Sequence, residues 1–150
     1  MTDSNKIIRK KTKEVLVGKV KIGGNSPIVV QSMTDTDTVN ISATVSQIIL
    51  LAEAGSEIVR ITVNNDQAAK SVSEIKSRII DAGYDIPLVG DFHFIGHRLL
   101  KDNPLLIKSL DKLRINPGNV GRGSKHDENF YSFINIAKEY NKAVRIGVNA

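Results

Sequence analysis

Short apolar runs rich in β-branched residues alternate along this chain with longer amphipathic stretches. The apolar runs begin about every 30 residues and predict strands, because strands are short and are enriched in such side chains. They occupy residues 28–33, 57–63, 87–92, 112–116 and 143–148. Strands that alternate with helices at this interval are typical of βαβ units, so the pattern predicts a parallel sheet.

Apolar positions spaced three and four residues apart predict helices between these strands. The first two helices should end at Gly55 and Gly83, because glycine adopts the left-handed C-cap conformation without strain. Pro104 interrupts the weaker pattern at 97–109 and predicts a short helix, a break and a second helical turn. The last helix has Asp127 as its candidate N-cap.

The stretch "EVLVGKVKIGG" at 14–24 reads as a β-hairpin that precedes about five strands and four helices. Two α/β architectures fit this array. A doubly wound sheet is complete with five strands, whereas a (β/α)₈ TIM barrel has eight, and this chain would supply its N-terminal portion. The residues before the hairpin, 1–13, form a basic arm.

Polar side chains stand toward the carboxyl end of every predicted strand. Residues i and i+2 of a strand share a face, so these polar residues pair as Arg60 with Thr62, Asp91 with His93, Arg114 with Asn116, and Arg145 with Asn149. A doubly wound sheet needs polar ends only at its switch point, but all strand ends of a barrel converge on one mouth. The polar ends therefore favour the TIM barrel.

Three arginines at matching strand positions, Arg60, Arg114 and Arg145, indicate an anion site. Arginine stays charged in proteins, and a buried charge without a partner is costly. Asp91 is expected to neutralise one of the three, and the planar guanidinium fork suits phosphate, so a phosphorylated or diphosphorylated small molecule is the predicted ligand. The alternative places these arginines on the helix side, reaching water or acids such as Glu57. Asp91 and His93 fit an acid/base or metal pair and a structural pair equally well.

Composition narrows the classes of function. The 21 basic and 16 acidic side chains give a net charge of +5, and aromatic residues make up only 5% with no Trp, which disfavours a nucleic-acid-binding protein. The chain has no Cys, which excludes disulfides and Cys-ligated metal within it. It shows no secretory signal and no membrane-length apolar run, so a cytoplasmic protein without membrane contact is expected. His97 and His126 are expected at the surface.

Five motifs appear in a specific order: "VQSMTDTDT" at 30–38, "EIVRITV" at 57–63, "DFHF" at 91–94, "RINPGNVG" at 114–121 and "RIGVNA" at 145–150. With them, the chain from about Lys10 to Ala150 resembles the N-terminal part of the bacterial 4-hydroxy-3-methylbut-2-enyl diphosphate synthase family. These are iron–sulfur enzymes of the non-mevalonate (MEP) pathway of isoprenoid (terpenoid) biosynthesis.

The resemblance implies an oxidoreductase. Family members reductively open the ring of 2-C-methyl-D-erythritol 2,4-cyclodiphosphate, with loss of water, to give the linear allylic diphosphate. Ferredoxin or flavodoxin supplies the electrons, and the enzymes are homodimers. The resemblance further implies that residues 14–150 are the N-terminal part of a substrate-binding barrel, and that a C-terminal domain outside this chain holds a 4Fe-4S cluster. This chain alone would then be inactive.

The resemblance also assigns expected roles to residues. Arg60, Arg114 and Arg145 match diphosphate-binding arginines, Asn116 and Asn149 match neighbouring amides, and Asp91 and His93 match positions near substrate hydroxyls. The loop of the first strand contributes Gln31, Ser32, Met33 and Thr34. No catalytic residue or metal ligand is assigned within the chain. Two alternatives stay open: a phosphate-binding barrel of the pterin-synthase type, and a non-enzymatic phosphate-binding domain of flavodoxin-like topology.

Overall fold

The computed structural model describes residues 10–120 and 124–148. The predicted hairpin is confirmed: β1 (Val15–Val17) pairs antiparallel with β2 (Val20–Ile22). Gly18, at the turn, has φ +56, a left-handed conformation that glycine adopts without steric strain. Of the predicted basic arm, residues 1–9 lie outside the described residues.

The remaining strands form one parallel sheet. They are β3 (Gln31–Met33), β4 (Ile58–Val63), β5 (Leu88–Phe92), β6 (Lys112–Ile115) and β7 (Ala143–Ile146). Their order in the sheet is their order in the chain. In a doubly wound sheet the order of the strands reverses at a switch point, and the described sheet shows no such reversal. Sequential order is the connectivity of a TIM barrel, as predicted.

Five helices follow the strands: α1 (Ile41–Glu53), α2 (Asp66–Asp81), α3 (Gly96–Asp102), α4 (Pro104–Ser109) and α5 (Ser124–Glu139). The side-chain oxygens of Asn40 and Asn65 accept hydrogen bonds from the first turns of α1 and α2. The break before Pro104 is confirmed, because this proline is the first residue of α4.

Two sequence-based expectations are corrected. The first strand of the sheet was predicted at 28–33, but only Gln31–Met33 pairs with β4, and the side chains of Ile28 and Val30 are exposed. An apolar run shows that side chains favour burial, but it does not fix where backbone pairing begins. Asp127 is not the N-cap of α5, because that helix begins three residues earlier, at Ser124.

The two faces of the sheet have different chemistry. The face toward the helices carries the main core, to which the strands contribute Val59, Ile61, Val63, Leu88, Phe92, Leu113 and Ile115. The opposite face is apolar only near the amino ends of the strands, where Ile58 and Val89 pack against Val17 of the hairpin. Toward the carboxyl ends of the strands this face becomes polar. In the described part of the chain, no helix is both long and apolar enough to cross a membrane.

Candidate functional site

Asp91 lies at the centre of the polar face, on β5, with 4% of its surface exposed. Its Oδ1 accepts a hydrogen bond from Arg114 Nη1 at 3.0 Å, and its Oδ2 lies 3.6 Å from Arg60 Nε. Strand register explains the first contact, because Asp91 and Arg114 are direct partners across β5 and β6. One carboxylate therefore contacts two guanidinium groups, where the sequence analysis expected it to neutralise one.

Two further cations share this face. Arg145 is the β7 partner of Arg114, and no described acid forms an ion pair with it. Lys112 is 8% exposed, and its Nζ donates a hydrogen bond of 2.9 Å to Gln31 Oε1. Burial, then the neighbouring Arg145 and Arg60, lower the pKa of Lys112 to about 8. Lys112 was not identified from the sequence, although it has the same strand parity as Arg114.

The described polar face thus combines four cationic side chains with one carboxylate. Arginine does not discharge, so the excess positive charge remains at neutral pH. The strands hold these cations in fixed positions, and the charge near them attracts anions. This arrangement is suited to binding a small ligand with several negative charges.

The carboxyl ends of β3 and β6 add polar groups around the arginines. Met33 Sδ accepts a hydrogen bond from Arg60 Nε at 3.1 Å, and the Thr34 backbone N–H donates to Arg60 O at 3.0 Å. Asn116 is 7% exposed, and its Oδ1 accepts from Gly118 N at 3.0 Å, which starts a 3₁₀ turn over Pro117–Asn119. The turn ends the strand and leaves the Asn116 side-chain NH₂ group as a donor at the mouth.

Two buried polar atoms near the strand ends have no hydrogen-bond partner among the described residues: Thr34 Oγ1 and His93 Nδ1. Buried polar atoms are rarely left unpaired, so these two call for an explanation. Thr34 follows β3, and His93 follows β5. His93 has the strand parity of Asp91, whereas Thr34 has that of Ser32, so of the two only His93 is expected on the face that carries the arginines.

The structure does not bring every predicted site residue to this cluster. Ser32 has the opposite parity, and its Oγ lies 2.6 Å from Ser56 Oγ, beyond the end of α1. Gln31 lies deeper than the arginines, where it contacts Lys112. Asn149 lies outside the described residues. The arginines and Asp91 therefore form the predicted cluster, whereas Gln31 lies deeper toward the amino ends of the strands. Ser32 lies on the opposite face of the sheet.

Gly147 is a site residue that was not identified from the sequence. Its backbone N–H donates to Ile115 O at 2.8 Å, which continues the pairing of β6 with β7. A Cβ at this position would lie 2.6 Å from Arg114 Nε and 2.7 Å from Nη2. The absence of a side chain at Gly147 therefore creates the space that the Arg114 guanidinium occupies.

We expect Gly147→Ala to displace Arg114 and to lower the free energy of unfolding by about 1 kcal/mol, as for modest overpacking. Urea denaturation followed by circular dichroism measures this loss. Gly118→Ala is the matched control, because its Cβ would meet only Asn116 Oδ1 at an ordinary 3.4 Å. Equal losses in both variants would show that Arg114 does not depend on the space at Gly147.

Helix α5 holds the turn that follows β6. His126 Nε2 contacts Pro117 O, and its Nδ1 lies 2.8 Å from Asp127 Oδ1. Asn129 Nδ2 donates to Val120 O at 2.7 Å. His126 and His97, which are expected at the surface, are each partly exposed and partly buried. His126 also contacts the turn that follows Asn116.

The pKa values of the two histidines should be shifted in opposite directions from the ordinary value. The hydrogen bond to Asp127 and then that to Pro117 raise the pKa of His126, whereas burial and then Arg98 lower the pKa of His97. A raised folded-state pKa means that the His126 contribution to stability is complete below about pH 6.5. This contribution is lost as the pH rises through the raised pKa.

NMR titration of the imidazole protons measures both pKa values. Asp127→Asn should lower the pKa of His126 and leave that of His97 unchanged, because His97 lies on α3 and its pKa is set by burial and by Arg98. A His126 pKa at or below that of His97 in the unaltered protein would contradict the contacts at the turn.

The side chains of this chain lack the donors that the 4Fe-4S cluster implied by the resemblance requires. Such a cluster is held mainly by cysteine thiolates, and the chain contains no Cys. Residues 10–120 and 124–148 also contain no group of three or more His, Asp or Glu side chains arranged to hold a metal ion. These residues do not fit the cluster, and their clustered charge is that of an anion site.

A comparison with known protein families agrees with this geometry. The family model described as the GcpE TIM-barrel domain matches residues 12–150, which is nearly the whole chain. The match covers the hairpin, the five parallel strands and the polar face. It also supports the barrel over the flavodoxin-like alternative. The chain therefore belongs to the GcpE family, the 4-hydroxy-3-methylbut-2-enyl diphosphate synthases, which are oxidoreductases of isoprenoid biosynthesis.

Proposed function

We propose that this chain supplies the diphosphate-binding part of the barrel in an enzyme that acts on 2-C-methyl-D-erythritol 2,4-cyclodiphosphate. The reaction is a two-electron, two-proton reductive ring opening with loss of water, and it gives (E)-4-hydroxy-3-methylbut-2-enyl diphosphate. The observation that carries the proposal is the excess of positive charge around Asp91. A cyclic diphosphate is a compact polyanion, and parallel N–H donors of arginine bind phosphate oxygens in pairs.

Each charged residue has a distinct part in this proposal. Arg114 and Arg145 are partners across β6 and β7 and bind phosphate oxygens. Arg60 binds from the β4 side. Asp91 orients Arg60 and Arg114 through its two oxygens. This arrangement holds the guanidinium groups in place before the ligand arrives, so less rotamer entropy is lost on binding.

The uncharged groups at the mouth orient the organic part of the substrate. Asn116 offers its amide N–H, and His93, which has the strand parity of Asp91, is placed near the substrate hydroxyls. Thr34 belongs to this proposal through the motif "VQSMTDTDT" alone. Asn149 belongs to this proposal through the family motif "RIGVNA" alone. Ser32 is left out of the mouth, because its Oγ contacts Ser56.

The electron-transfer parts are proposed to lie elsewhere. The 4Fe-4S cluster supplies single electrons when bound, and we place its ligands in a further domain outside these 150 residues, since the chain has no Cys. Ferredoxin or flavodoxin as the electron donor, a homodimeric assembly and a cytoplasmic location are further predictions from family membership.

Product formation tests this function directly. The full-length protein, purified without oxygen and supplied with a one-electron reductant, should convert the cyclodiphosphate to the linear diphosphate, as followed by phosphorus NMR. The 150-residue chain is the control, because it should give no product. A full-length protein that contains its cluster but neither binds nor converts the cyclodiphosphate would rule out the proposal.

A further inference from the structure

Lys112 forms a second layer of positive charge beneath the arginines. It lies on β6 two residues before Arg114, on the same face of the sheet, and is 8% exposed. Its Nζ reaches Gln31 Oε1 on β3, at 2.9 Å. An ammonium group has three donors, and Gln31 is the one hydrogen-bond partner that the described residues provide.

Among residues 10–120 and 124–148, the groups that face Lys112 do not neutralise it. β4 contributes Arg60 and β7 contributes Arg145, both cationic, whereas β3 contributes the neutral Gln31. On β5, Asp91 is already in contact with two guanidinium groups. The hairpin contributes only apolar side chains to the surrounding wall. A buried cation next to other cations is unfavourable unless an anion is bound.

Lys112 also lines an open space. A cleft of about 690 Å³ between the hairpin and the sheet carries Gln31, Lys112 and Arg145 on an otherwise mostly apolar wall. Lys112 and Arg145 thus line the same cleft. Lys112 and Arg145 are the only charged residues among the described ones that line the cleft, so they would be the cationic partners of an anion bound in it.

From this geometry we infer that Lys112 is a further anion-binding residue, and that it takes up a proton when a diphosphate binds above it. The inference rests on the proposed function, because the anion is taken to be a diphosphate. The proton comes from solvent and converts the neutral amine of Lys112 to ammonium, so no other group changes its charge. Lys112 then contributes a positive charge beneath the arginines, and this charge is fully present only when the anion is bound.

The titration of Lys112 supports this linkage. Its pKa in the free protein is lowered to about 8, first by burial and then by Arg145 and Arg60. Near this pH a part of the molecules carries the neutral amine, and a bound anion raises the pKa, so binding takes up a fraction of a proton. The arginines do not contribute, because they stay charged throughout this range.

Isothermal titration calorimetry of the full-length protein with inorganic pyrophosphate measures this uptake. Titrations at pH 8 in buffers of different ionisation enthalpy give the number of protons taken up. Lys112→Met should bind roughly tenfold more weakly at pH 7 and should lack the proton uptake of the unaltered protein. Pyrophosphate itself titrates in this range, so the result is the difference between the variant and the unaltered protein.

Two control variants complete the experiment. Lys108→Met removes the same charge from an exposed position on α4 and should change neither affinity nor proton uptake. Lys112→Arg keeps a charge that does not titrate, so it should retain affinity while losing the uptake. It also covers the case in which Lys112→Met does not fold, because thermal melting can be compared among the variants.

The outcomes separate the two proposals. If Arg114→Ala loses pyrophosphate binding while Lys112→Met and Lys112→Arg match the unaltered protein in affinity and proton uptake, the role of Lys112 is overturned and the proposed function stands. If the unaltered protein does not bind pyrophosphate, the inference about Lys112 is overturned, and conversion of the cyclodiphosphate decides the proposed function separately. Loss of thermal stability in Lys112→Met, without any change in proton uptake, would identify a structural lysine and would also overturn the inference.

Discussion

Replacing Asp91 with Asn should lower the free energy of unfolding by about 3 kcal/mol, the largest effect expected for a single change in this protein. Asp91 is 4% exposed and is the acid in contact with both Arg60 and Arg114. An amide of the same size leaves the two guanidinium groups next to each other without a counter-charge. Breaking a buried ion pair on one side is costly because the remaining charge stays buried.

Urea denaturation at pH 7 measures the change, and Asp85→Asn is its control. Asp85 pairs with Lys19 at 3.0 Å, but both side chains are more than 60% exposed, so its loss should cost less than about 1 kcal/mol. Similar losses in both variants would show that Asp91 is not the centre of the charge cluster.

Replacing Arg114 with Ala should weaken the binding of pyrophosphate to the full-length protein by about 1–3 kcal/mol. Arg114 contributes a charge and a planar pair of donors, and its contact with Asp91 fixes the direction in which the donors point. Lys restores the charge but not the paired donors, so Arg114→Lys should recover only part of the affinity. Calorimetry at constant salt measures both variants.

The control for this experiment is Arg78→Ala. Arg78 lies on α2, about half exposed, and pairs with Glu74 on the same helix. The Arg78→Ala variant loses one positive charge at a position away from the polar face. Its affinity therefore shows how much of any loss is due to the net charge of the protein and how much to the contact made by Arg114. Unchanged affinity in Arg114→Ala, with normal folding, would mean that the ligand does not reach the polar face between β4 and β7.

Strand parity is what made much of the site predictable. The period of two places Arg60, Asp91 and Arg114 on one face whatever the details of packing, and the structure brings these three into contact. Parity also explains why Ser32 does not join them. It was assigned because it belongs to the motif "VQSMTDTDT", but a contiguous motif includes both faces of a strand.

Other residues of the site could not be predicted from the pattern of residue types in the sequence. The role of Gly147 depends on empty space beside the side chain of another strand, which no pattern of residue types reveals. His126 contacts a carbonyl nine residues away across a turn, a distance that local periodicity does not cover. Lys112 was detectable in principle. Lys112 has the parity of Arg114 but is the first residue of β6, whereas the polar pattern that predicts the site lies at the carboxyl ends of the strands.

The centre of the charge cluster stands on backbone that rarely opens. All five residues of β5, which carries Asp91, are buried, and β5 has a neighbour on each side. Local opening takes more free energy where more buried contacts are lost, so the amide hydrogens of β5 should exchange slowly. The carboxylate that contacts Arg60 and Arg114 is therefore anchored in one of the slowest-opening parts of the sheet.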